Sequence, residues 1–227
     1  ARYVIFDTET TGLDPKTNNI IEIAAIEIIK GRLTGMQFHG YIKPRYPIDP
    51  RATEKHNLSP TFYEEYFDRA YDSDKTTIEN FLKFVGNSII FAHNATFDMN
   101  FLNNELKHWK IPMLQKHRFR CSMRIYKKIF GSIDSRFNYY CSLGKSCDVL
   151  GINCGSDNFH SAIFDAFMTA RLVCKMFAFV EDRSTLDIQY IIDEKLTKNK
   201  DIIKLGIKKS YIRNDEEKEN RNEVNMA

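Results

Sequence analysis

Apolar residues recur along this chain in two rhythms, near two at the N-terminus and near 3.6 further on. The run YVIFDTE over residues 3–9 predicts a strand that ends in two acids, Asp7 and Glu9. Gly12, Asp14 and Pro15 then mark a turn. In NIIEIAAIEIIKGRL, Ile21, Ile23, Ala25 and the later isoleucines alternate with Glu22 and Glu27, a β-branched pattern that predicts a second strand. Gly31 marks a hairpin turn, and MQFHGYIKP predicts a third strand that stops at Pro44. Three successive strands with short turns make an antiparallel meander.

The middle of the chain changes period. IDPRATEKHNLSPTFYEEYFDRAYDS predicts short helices, with Ser59 as an N-cap and Pro60 in the first turn. TTIENFLKFVG predicts a helix capped by Thr77, with Ile78, Phe81, Leu82 and Val85 on its apolar face and Gly86 ending it. SIIFAHN reads as a buried strand, ATFDMNFLNNELKHW as a helix with Phe97, Phe101, Leu102 and Leu106 inward, and HRFRCSM as the next strand. That β–α–β alternation belongs to an α/β sheet. SLGKSCDVLGI and HSAIFDAFMTARLVCKMFAFV close the domain as helices. The expected fold class is therefore α/β, a mixed sheet of N-terminal meander plus parallel strands, flanked by helices. Residues 1–180 form the domain and 181–227 a charged C-terminal extension, partly helical or flexible. Leu186, Tyr190, Ile191 and Leu196 fit one amphipathic helix, whereas 197–227 is too rich in Lys, Asn, Asp and Glu to fold alone.

Composition narrows the class. Of 227 residues, 43% are hydrophobic and 13% aromatic, enough for a sizeable core. A net charge of +3 is compatible with a polyanionic partner without requiring one. No run approaches the ~18 apolar residues of a membrane span, and the N-terminus lacks a signal pattern. Cys121, Cys141, Cys147, Cys154 and Cys174 are odd in number and contain no C-x-x-C pair, so they read as reduced packing residues rather than a zinc site or disulfide framework. An intracellular protein, cytoplasmic or nucleoid-associated and without a membrane partner, is expected.

The candidate chemistry lies in the acids. Strand alternation puts Asp7 and Glu9 on one face, about 7 Å apart along the chain. Two carboxylates so placed repel unless a cation sits between them, although a strand end emerging into solvent explains them equally well. Asp98 in HNATFD and Asp165 in HSAIFD each fall near a helix start, where the helix dipole alone would favour an acid. Their neighbours Phe97, Met99, Phe164 and Ala166 instead suggest acids near the core. Four acids from strand ends and helix starts can converge at one edge of the sheet. Hard oxygen ligands of this kind suit two Mg2+ or Mn2+ ions, which clamp the attacking water and the leaving oxygen of a phosphodiester. His160, five residues before Asp165, is the natural general base. His56, His93, His108 and His117 carry no such spacing and, as lone histidines, read first as structural.

FDTETTGL, HNATFD and HSAIFD resemble the three motifs of the histidine-bearing branch of the DEDD exonucleases. Residues 1–180 are most similar to the epsilon proofreading subunits of bacterial DNA polymerase III, linking segments included. The resemblance implies an RNase H-like fold and a 3′-to-5′ exonuclease. Asp7, Glu9, Asp98 and Asp165 would hold two divalent ions and His160 would activate the water. It also implies that His56 in EKHNL contacts substrate near the 3′ end, and that the loop bearing Thr8, Thr10 and Thr11 lies along the terminal nucleotide. Two departures bear on substrate. Arg51 stands where the family typically carries a glutamate, and TFYEEYFDRAYDSDKTT is longer than in the bacterial subunits.

Three functions are weighed. The first is trimming of single-stranded DNA 3′ ends in proofreading or repair, which releases nucleoside monophosphates. The second is RNA 3′-end trimming by the same chemistry. The third is a silent nucleic-acid-binding scaffold, which retention of all four acids and His160 disfavours. Phe62, Tyr63, Tyr66 and Phe67 could stack bases, but helical spacing favours core. The lysines from Lys195 to Lys209 could touch phosphate, though interspersed acids favour a solvated segment or one that docks a partner such as a DNA polymerase.

Overall fold

The computed structural model describes residues 1–68, 74–155 and 160–198. Expectations placed on 199–227, and part of the long segment after Thr61, lie outside the described residues. Five strands form one mixed sheet in the order β3-β2-β1-β4-β5. Strands β1 (Arg2–Thr10), β2 (Ile20–Ile29) and β3 (Arg32–Tyr41) are the expected antiparallel meander, while β4 (Ile89–Ala92) and β5 (Phe119–Cys121) run parallel to β1. Among the described residues before Ile188, the α-helices are α1 (Pro50–His56), α2 (Pro60–Phe67), α3 (Asp74–Val85), α4 (Ala95–His108), α5 (Ser122–Phe130), α6 (Leu143–Val149) and α7 (Ala162–Glu181).

Alternation along β1 divides the core. Val4 and Phe6 pack with Ile23 and Ala25 of β2 against Phe81 of α3 and Phe101 and Leu102 of α4. Tyr3, Ile5, Asp7 and Glu9 therefore face the other side, covered by α7, where Tyr3 and Phe177 bring their rings to 5.4 Å. With helices on both faces, β2 is buried from Ile20 to Ile28. The glutamates that alternate in its sequence do not reach solvent: Glu22 is 1% exposed and Glu27 8%. Glu27 is held by Arg2 and Thr34, and Glu22 by partners near the site.

Local chemistry sets the helix ends. Ser59 caps α2 by accepting from the Phe62 N–H, with Pro60 at its first position as expected. Asp49 caps α1 in the same way through the Arg51 N–H. Helix α3 starts earlier than its sequence pattern suggested: it begins at Asp74, so Thr77 lies inside it rather than capping it. Gly86, at φ +51°, ends it. Of the four aromatics of α2, Tyr63 is core and donates to the Ile21 carbonyl, Phe62 and Phe67 pack beside it, and Tyr66 is exposed against Tyr41.

The chain divides into two compact units, Ala1–Asp187 and Ile188–Ala227. Within the second, the described residues are helical, a turn at Ile188–Tyr190 running into a π-wound stretch at Ile191–Thr197. Leu186 precedes this helix rather than joining it. The five cysteines are free, and no helix among the described residues is long and apolar enough to cross a membrane.

Candidate active site

Parallel pairing carries the C-terminal ends of β1, β4 and β5 to one edge of the sheet, the place where open α/β sheets bind ligands. At that edge β1 delivers Asp7 and Glu9. Strand β4 passes through His93 and Asn94 into α4, Asn94 taking the left-handed conformation (φ +73°) that turns the chain into the helix. Asp98 thereby sits in the first turn of α4, and Asp165 in the first turn of α7. A cleft of about 420 Å³ opens there, and Asp7, Glu9, Asp98, Asp165 and His160 all line it.

The acids are crowded, Asp98 and Asp165 buried and Asp7 and Glu9 half-buried. Asp98 is 3% exposed and accepts from the Thr8 hydroxyl at 2.9 Å, a bond between β1 and α4. Asp165 accepts from the His160 N–H at 3.3 Å through Oδ2, whereas its buried Oδ1 has no partner among the described residues. Burial, then the charges of Asp98, Asp165, Glu9 and Glu22, push Asp7 well above the usual carboxylate range. Burial and neighbouring acids, Asp165 first, push Glu9 up to about 8, against the pull of Lys55. Burial raises Asp98 to about 7 although the Thr8 hydroxyl restrains it, and raises Asp165 to about 6. So many carboxyls pushed the same way form a site short of positive charge.

The donor set answers how that charge could be supplied. The oxygens are hard, Asp165 Oδ1 lacks a partner among the described residues, and one ligand atom each from Glu9, His160 and Asp165 lie within 4.8 Å of one another. These features fit divalent cations. His160 is exposed at the cleft mouth at φ +76°, and burial with the Lys55 charge lowers its pKa, so the ring is neutral near pH 7 and able to take a proton.

The expected substrate residues divide. His56 lines the cleft, 6% exposed. Its Nδ1 accepts from the Leu58 N–H, which places the ring proton on Nε2, turned toward the Thr10 backbone but without a hydrogen bond of good geometry among the described residues. Thr8 and Thr10 line the cleft with hydroxyls engaged by Asp98 and the Gly12 carbonyl. Thr11 does not line it: fully buried, it ties Asn18 and Asn19 across the following loop. Arg51 lines the rim, exposed, with its guanidinium forked onto Asp49 at 2.9 and 3.2 Å. His93 is structural, held between Ser122 and the Cys141 carbonyl.

The structure adds residues that the sequence did not single out for the site. Lys55 brings a positive charge to the cleft, which Leu13, 77% exposed, and the half-buried Phe97 also line. Glu22 pairs with Glu9 across β1 and β2. Its carboxylate accepts from His39 Nε2 at 2.7 Å and from the Ala162 N–H, at the start of α7, at 3.1 Å. It anchors the helix that carries Asp165. Strand alternation does not set Glu22 apart from Glu27, so no sequence signal pointed to it.

Comparison with known proteins agrees with this geometry. The sequence model of the exonuclease family matches residues 4–173. DNA polymerase III subunit epsilon of Rickettsia prowazekii is 34% identical over 175 residues, covering 75% of this chain and 72% of the relative. The same subunit of Buchnera aphidicola (from Acyrthosiphon pisum) is 34% identical over 182 residues, covering 77% and 72%. Among solved structures, exonuclease X in complex with 5′ overhanging duplex DNA superposes with a TM-score of 0.56 at 22% identity, covering 84% of this chain and 98% of the other. Exonuclease I superposes at 0.67 and 16% identity, covering 86% and 44%. With its three acidic motifs at one sheet edge and a family match spanning most of its length, this chain belongs to the exonuclease family.

Proposed function

We propose that this exonuclease removes nucleotides one at a time from the 3′ end of single-stranded DNA, as a proofreading activity that works with a DNA polymerase. The observation that carries the reading is the convergence of Asp7, Glu9, Asp98 and Asp165, from three separate elements, in one cleft with His160. The relatives' name as polymerase subunits and the neighbours' bound DNA support the substrate and the partner.

Asp7, Glu9, Asp98 and Asp165 would hold two Mg2+ or Mn2+ ions. When bound, such ions lower the pKa of water and offset the charge that develops on the phosphate and the leaving 3′ oxygen. The remaining work belongs to the chain. His160 takes the proton of the attacking water at a ring nitrogen. Thr8 holds Asp98 in one orientation, and Glu22 fixes the start of α7 and so the carboxyl of Asp165. Leu13 and Phe97 offer apolar walls to the terminal base, and the His56 Nε2–H offers a donor to its nucleotide. Thr8 and Thr10 present backbone to the substrate, since their hydroxyls are engaged elsewhere. Arg51, forked onto Asp49 through Nε and Nη2, would meet phosphate with Nη1 while that pair stays in place. Residues 181–227 are the extension proposed to meet the polymerase.

The test is an end-labelled assay on single-stranded DNA, matched and mismatched duplex, and RNA, each with magnesium and manganese. Stepwise release from DNA 3′ ends, faster at a mismatch, is expected, and Asp7→Ala should abolish it while the protein stays folded. Preference for RNA would replace the DNA reading, and unchanged turnover in Asp7→Ala would remove the metal-clamp reading.

A further inference from the structure

Between Glu105 and Asp134 the chain has no acidic residue and eight Lys or Arg, which leaves 25 basic against 30 acidic residues elsewhere, a net of −5. Part of this segment folds into a groove of about 290 Å³ between the first turn of α4 and the β5–α5 junction. Lys116, Arg120, Arg124 and Lys128 line it, four residues apart in sequence, and no acid does. All four are exposed. Arg124 and Lys128 are i,i+4 neighbours on the outer face of α5, above buried Tyr126 and Phe130. Arg120 is steadied by the His117 and Phe119 carbonyls, which its Nη1 reaches at 2.6 and 2.9 Å.

The groove adjoins the catalytic cleft. Ala92 and Cys121 are paired at the ends of β4 and β5, and His93 of the cleft meets Ser122 of α5 at 2.9 Å. Arg124 reaches the Thr96 hydroxyl at 3.5 Å, and the next two residues, Phe97 and Asp98, line the cleft. Five carboxylates (Asp7, Glu9, Asp49, Asp98 and Asp165) line the cleft against two cations, so it offers a polyanion little attraction of its own. A row of cations beside it, without an acid partner among the described residues, supplies what it lacks.

We propose that this groove binds the sugar-phosphate backbone of the DNA strand upstream of its 3′ end, Arg120, Arg124 and Lys128 each meeting an internucleotide phosphate. The inference rests on the exonuclease reading of the cleft and adds to it the path of the strand. Holding several phosphates outside the cleft lowers KM for long strands without touching the chemistry, and it makes binding salt-dependent through counterion release.

The test neutralises the groove with Arg120→Gln, Arg124→Gln and Lys128→Gln together, and compares Lys107→Gln with Lys110→Gln, in the same acid-free segment but off the groove. Anisotropy of a labelled strand of ~15 nucleotides is followed against salt without divalent ions. The triple variant should bind about tenfold more weakly at ~0.1 M salt, with a log–log salt slope shallower by about 2, from ~0.7 per lost phosphate contact. In turnover, KM for the same strand should rise by a similar factor with kcat unchanged, while a dinucleotide, too short to span cleft and groove, is cut as by the wild type. An unchanged salt slope, or an equal loss in the control variant, would overturn the groove. So would an equal fall on the dinucleotide. A wild type that binds the strand with this slope but cuts no DNA would sustain the groove and overturn the exonuclease reading instead.

Discussion

The Thr8 hydroxyl lies 2.9 Å from Asp98 Oδ1 and joins the first strand to a helix ninety residues later, inside the protein. That bond favours the ionised carboxylate and opposes the burial that raises its pKa. Thr8→Val keeps the shape and removes the donor, so the Asp98 carboxyl should titrate higher than it does now. A metal ligand must lose its proton to bind. The magnesium concentration for half-maximal rate should therefore rise in the variant, more at about pH 6.5 than at about pH 8.5. An equal rise at both would mean that Thr8 acts through packing alone.

Glu22 should behave as a positioning residue. Glu22→Ala leaves the Ala162 N–H and His39 without their acceptor, at a cost of about 1–3 kcal/mol. The helix carrying Asp165 then loses its anchor, and kcat should fall by about tenfold or more while KM for DNA changes little. Glu22→Gln retains an acceptor oxygen and should recover much of the loss. A variant that loses stability but keeps kcat would assign Glu22 to the fold alone.

The cation-free protein should become less stable as pH rises. Each acid of the cluster has a folded-state pKa above its unfolded value, near 4, with Asp165 at about 6, Asp98 at about 7 and Glu9 at about 8. The folded state thus keeps protons that the unfolded chain has released. This contribution to stability is full below about pH 4 and is lost progressively up to about pH 8. In EDTA, Tm should fall by several degrees between about pH 5.5 and 8.5. Added magnesium should reverse the fall, and Asp7→Asn should blunt both changes. A Tm that does not fall over this range would contradict the repulsion.

His160→Ala separates a base from a ligand. As a general base, its loss should lower the rate by about 10²–10⁴-fold and remove the acidic limb of the pH–rate profile. The rise in Tm on adding manganese should remain. A lost manganese response would place the ring among the metal ligands, since it lies close to Glu9 and Asp165.

Most of the fold was legible because its signals are local. The meander showed in the isoleucines of β2, and α2 in Ser59 and Pro60. Asp98 and Asp165 were legible as motif residues in first turns. What stayed hidden depended on distant packing. Glu22 does not stand apart from Glu27 until α7 covers that face of β2, and His39 has no meaning apart from it. Leu13 and Lys55 come from loop and helix faces with no periodic cue. Thr11 shows the limit in the other direction: its neighbours Thr10 and Gly12 line the cleft, while its own side chain is buried just past the end of β1, where pairing with β2 shifts register.

The order of the elements also has a bearing on synthesis. Asp7 and Glu9 leave the ribosome first, and Asp165 follows only after the whole sheet has been made. Until α7 emerges, its face of β1 and β2 is uncovered, Glu22 has no helix to hold, and the acid cluster lacks a member. With Asp165 as a proposed metal ligand, a half-made chain is no nuclease, and cutting power would arrive only with nearly complete folding of the first unit.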